Sequence, residues 1–87
     1  MFDSKALYNK LIEAGWNSGK IKNDPVAKEL VSQSTLTRLK NGGGKISVDS
    51  IENIAILLNI QPLELLEGIW EIELADEPIQ PKTKEKN

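Results

Sequence analysis

Leu7, Leu11 and Ala14, with Tyr8 and Ile12 beside them, recur at helical spacing between Asp3 or Ser4, which can cap a helix, and Gly15, which can end one. This pattern predicts a first helix. Residues 16–23 hold Gly19, three Asn or Ser and two Lys without sustained periodicity, and predict a loop. Asp24 before Pro25 is a start signal, since Asp accepts orphan amides and Pro tolerates the first helical position. A short second helix then buries Val26, Ala27, Leu30 and Val31. Ser32 has the chemistry of an N-cap for a third helix with one narrow stripe, Leu36 and Leu39, closed by Asn41-Gly42. Ser47 caps a fourth helix with Ile51, Ile54, Ala55 and Leu58 inward and a stop at Asn59. Pro62 opens a fifth carrying Leu63, Leu65, Leu66 and Ile69.

Beyond residue 68 the period changes. In I-W-E-I-E-L, Trp70, Ile72 and Leu74 alternate with Glu71 and Glu73, as in a strand with one wet face and no obvious partner strand in the chain. Pro78, Pro81 and mixed Lys and Glu follow, which predict a disordered tail. The expected organisation is one all-α domain of five helices over residues 1–68, an extended segment over 69–75 and a tail over 76–87.

Composition narrows the chemistry. The chain has no Cys and no His, which removes thiolate and imidazole metal ligands, the Cys–His and Ser–His nucleophile pairs and the usual neutral-pH base. No catalysis, metal or cofactor is expected. The longest apolar run, residues 54–58, is far too short to span a membrane, and the expected setting is the cytoplasm with no membrane partner. The net charge of −2 conceals an asymmetry: residues 1–50 carry 8 basic and 5 acidic side chains, and residues 51–81 carry 7 acidic and no basic ones. Such a split predicts one face for an anionic partner and another turned away from it.

The stretch V-A-K-E-L-V-S-Q-S-T-L-T-R-L-K-N-G, residues 26–42, resembles the helix-turn-helix of the phage repressor and Cro-type (Xre-like) DNA-binding family, and S-V-D-S-I-E-N-I-A-I-L-L-N-I-Q-P-L-E-L-L, residues 47–66, resembles that family's last two helices. The likeness covers about residues 4–67. Two features depart from the family pattern: no Gly stands in the turn before Val31, and the first helix is separated from the second by about five additional residues. The resemblance implies a sequence-specific transcriptional regulator of double-stranded DNA, a repressor acting as a homodimer on a palindromic site. The alternative is a protein-interaction module of the same fold, an antitoxin or adaptor.

By resemblance, Gln33, Ser34, Thr37 and Arg38 meet base edges while Leu36 and Leu39 hold the helix to the core. The chemistry agrees, because Gln bridges adenine and Arg pairs with guanine bidentately in the major groove. Lys20, Lys22, Lys40 and Lys45 supply charge for phosphates, and Ser32, Thr35, Asn41 and Gly43 supply polar groups there. The run N-G-G-G-K is not a phosphate-binding P-loop, which needs Gly where Leu39 stands and Ser or Thr where Ile46 stands. Residues 51–74 carry 14 apolar side chains out of 24, more than one inner face accommodates. Ile56 and Leu57, with Ile69, Trp70, Ile72 and Leu74, are therefore the expected dimer interface.

Overall fold

The computed structural model describes residues 2–43 and 45–80. It is all-α, with α1 (Ser4–Glu13), α2 (Ser18–Asn23), α3 (Ala27–Leu30), α4 (Gln33–Lys40), α5 (Val48–Leu58) and α6 (Pro62–Leu66). The starts are local chemistry. Asp3 Oδ1 accepts from the Ala6 amide at 3.0 Å, Asn17 Oδ1 from Lys20 at 2.8 Å, Ser32 Oγ from Thr35 at 3.2 Å and Ser47 Oγ from Ser50 at 3.1 Å. Each satisfies an amide that the first helical turn leaves without a partner. Pro62 opens α6, and Asn59, at φ +59°, closes α5.

Two expectations near the N-terminus need correction. Residues 16–23 are not a loop throughout, because α2 forms within them and makes six helices among the described residues in place of five. Asn17 caps it, and its one apolar side chain, Ile21, is fully buried. The second expected helix is also shorter than its start signal implied. Asp24 Oδ1 takes the amides of Val26 and Ala27, each at 2.9 Å, and holds residues 25 and 26 in a turn before α3. Val26 is consequently 67% exposed instead of buried.

α1 packs on α4, α2 on α3 and α4, α3 on α5, and α5 on α6. Their shared core is Leu7, Leu11, Ile21, Ala27, Val31, Leu36, Leu39, Ile54, Ala55, Leu65 and Ile69. Every helix contributes at least one of these side chains, so none is an appendage.

The segment after α6, expected either to pair across a dimer or to fold back on its own domain, is tied at its root to the N-terminus of the same chain. The Asp3 amide donates to the Ile69 carbonyl at 2.8 Å, and Phe2 and Trp70 form an isolated antiparallel bridge. Ile69 is only 3% exposed and belongs to the domain's own core, so it is withdrawn from the expected dimer interface. Residues 71–80 are exposed and irregular. The rest of the expected tail, residues 81–87, lies outside the described residues.

The core assignment carries a stability prediction. Ile21→Ala removes a fully buried side chain and should cost about 2–5 kcal/mol in urea unfolding. Leu63→Ala, at an 85% exposed position, should stay within about 0.5 kcal/mol of the parent.

Candidate nucleic-acid interface

α4 is eight residues long and two-sided. At about 100° per residue, Gln33, Ser34, Thr37 and Arg38 share an arc of roughly 140°, and Leu36 and Leu39 fall on the other side. Burial follows that geometry: both leucines are buried and all four polar residues are exposed. The side chains expected to read a partner thus form one contiguous patch at the surface.

The start of α4 is knit together by hydroxyls. Ser32 Oγ accepts from the Thr35 amide, donates to Thr35 Oγ1 at 3.0 Å and lies 3.1 Å from Ser34 Oγ. Thr35 is half-buried, while Ser32 and Ser34 remain exposed. Gln33 Nε2 donates to the Ser18 carbonyl at 3.5 Å, a long contact that joins the first residue of α4 to the first residue of α2. The helix missing from the sequence reading therefore borders the candidate surface. Asn17, three residues before Lys20 and four before the apolar Ile21, was the signal for it.

The end of α4 is a two-bond cap. The Gly42 amide donates to the Leu39 carbonyl at 3.1 Å and the Gly43 amide to the Arg38 carbonyl at 2.8 Å, with Gly42 at φ +74°. This is the Schellman arrangement, and its left-handed residue is ordinarily Gly. It corrects one expectation: the Gly43 amide is committed to Arg38 and is no free donor for a phosphate. Gly43 serves α4 by closeness instead, since a Cβ there would stand 3.0 Å from the Arg38 carbonyl oxygen and collide with Arg38 Cγ. Arg38 can lie over the turn because position 43 has no side chain.

Lys22, Lys40, Asn41 and Lys45 are exposed. Lys45 also borders a cleft of about 260 Å³ with Phe2, Ile46, Ile51 and Trp70. Lys20 is exposed too, but it lines a different cleft, beside Trp16, Asp24 and Pro25. Of the expected interface residues, Ile56, Trp70, Ile72 and Leu74 are exposed and Leu57 is half-buried. Among the described residues no group of His, Cys, Asp or Glu is placed to hold a metal ion, and no helix is long and apolar enough to cross a membrane.

Comparison with known proteins returns no matching family model, no matching curated protein and no matching solved structure.

The cap yields a prediction of its own. Gly42→Ala forces an L side chain into left-handed backbone and against Lys5, and should lower the unfolding free energy by about 1–2 kcal/mol in a denaturant titration. Gly42→Asn should recover part of that loss, because Asn tolerates this backbone region better.

Proposed function

We propose that the chain is a sequence-specific DNA-binding regulator that places α4 in the major groove and represses by occupying its site. The observation that carries this reading is the two-sided α4: two buried leucines beneath a continuous exposed arc of Gln33, Ser34, Thr37 and Arg38. A helix of this kind fits the groove, with Gln33 and Ser34 deepest and Arg38 paired with a guanine one turn on. Lys22, Lys40 and Lys45 hold the flanking phosphates, with Ser32, Thr35 and Asn41 as polar contacts. The α3–Val31–Ser32–α4 succession is the helix-turn-helix of a phage-repressor-type domain. The protein acts as a homodimer whose two α4 copies stand about 34–36 Å apart, one turn of DNA, on a palindromic site.

A protein-interaction module is the second reading. It is favoured by the exposure of Val26, Ile56 and Trp70, apolar side chains on or beside three different elements. Salt separates the two: DNA binding weakens steeply as salt rises, whereas association through these apolar side chains does not.

Selection of bound fragments from a random DNA pool tests the reading. A preferred palindromic site should emerge, and Arg38→Ala should lower affinity for it by about 1–3 kcal/mol and relax preference at one base position per half-site. Lys45→Gln should weaken all sequences alike and reduce the salt slope by about one. Failure to enrich any sequence, or an Arg38→Ala protein with unchanged affinity and preference, would overturn the assignment of α4.

A further inference from the structure

α4 ends on two glycines that are glycine for different reasons. Gly42 sits at φ +74°, and its backbone alone accounts for it. Gly43 does not share that left-handed conformation. What excludes a side chain at position 43 is contact. A Cβ there would collide with Arg38 Cγ and stand 3.0 Å from the Arg38 carbonyl oxygen and 3.4 Å from Arg38 Cδ. All three atoms belong to one residue.

In a Schellman turn the side chain at the place of Gly43 ordinarily packs against one near the helix end, here that of Arg38. Gly43 has no side chain, so the Arg38 stem lies on bare backbone. The Gly43 amide bonds the Arg38 carbonyl at 2.8 Å, which holds that backbone against the residue whose stem covers it. Among the described residues the guanidinium makes no hydrogen bond or ion pair, so its direction follows from where the stem lies.

The direction is a discrete choice, because a side chain in a helix has essentially two χ1 wells. Cγ is the near end of the side chain and cannot swing clear of an added Cβ unless χ1 changes. Excluding the well that Arg38 occupies sends its stem to the other, about 120° away, and carries the guanidinium to a different place beside α4.

We infer that Gly43 is a positioning residue for Arg38 and thereby determines specificity: it leaves open the χ1 well from which the guanidinium meets its base. The inference rests on the reading of α4 as the helix that enters the major groove. It adds that the base met by Arg38 is chosen in part by a residue outside that helix.

A double-mutant cycle on the full chain tests this. Arg38→Ala leaves no Cγ for a Cβ at position 43 to meet, while crowding of the carbonyl oxygen is the same in both backgrounds. Position 43 is exposed and lies past the helix end, so Gly43→Ala leaves the core untouched. Affinity for the site selected by the parent chain, and preference at each base position, are measured for the four proteins. Gly43→Ala alone should lower affinity by about tenfold and alter preference at the base position that Arg38→Ala relaxes. In the Arg38→Ala background it should change affinity by no more than about twofold and preference not at all. In the free protein, three-bond couplings should report a different Arg38 χ1 on Gly43→Ala, a readout that needs no DNA. An equal loss in both backgrounds would overturn the inference and leave Gly43 as a helix closure alone, and an unchanged χ1 would overturn it as well. Parent-like affinity and preference in Gly43→Ala, where Arg38→Ala loses its preference, would keep α4 as the reader and remove Gly43 as a determinant. An Arg38→Ala protein that binds as the parent does would remove the reading of α4 and this inference with it.

Discussion

The burial of Leu36 and Leu39 beneath α4, where α1 packs against it, is the contact on which the rest of the molecule depends. An eight-residue helix does not persist alone in water, where about 12–15 residues are needed for even marginal helicity. α4 exists because its leucines join Leu7 and Leu11 in the core while Ser32 and the Gly42–Gly43 turn satisfy its two ends. Those constraints leave most of its circumference free of any structural task. The polar arc is available for recognition because so little of the helix is needed for folding.

The same economy runs through the short elements around it. α2 and α3 are six and four residues long, held by one buried side chain each and by Asn17 and Asp24 at their starts. Neither would form by itself. Together they brace the first turn of α4, through the Gln33 to Ser18 contact on one side and the buried Val31 on the other. The additional residues between the first two expected helices are thus absorbed into a structural support beside the candidate surface.

What could be read from the sequence follows the range of the interaction responsible. α1, α4, α5 and α6 were legible because their caps and apolar positions lie within a few residues of one another, and Ser32, Ser47, Asn59 and Pro62 act as their chemistry implies. The exposed arc of Gln33, Ser34, Thr37 and Arg38 was legible for the same reason. α2 was not, because one apolar residue in six produces no period, and its helix depends on Ile21 reaching a core assembled from distant segments. Val26 reads as an interior residue and is exposed, since Asp24 holds it in a turn ahead of α3. The commitment of the Gly43 amide was hidden by backbone handedness, and the burial of Ile69 by its dependence on residue 3 at the other end of the chain.

Asp3 joins those two ends in a single residue: its carboxylate caps α1 while its amide holds the Ile69 carbonyl. The resulting ring contains most of the described chain, and the Phe2–Trp70 bridge beside it encloses one residue more at each end. Loop-closure entropy grows only with the logarithm of ring size, about 0.6 kcal/mol per doubling, so a ring this large costs little more than a much smaller one. The clasp involves no residue of α4, whose cap and buried leucines are held by other contacts. The domain thereby separates two attachments: the junction of the chain ends, which sets where residues 71–80 lead off, and the packing of the helix that presents the polar arc.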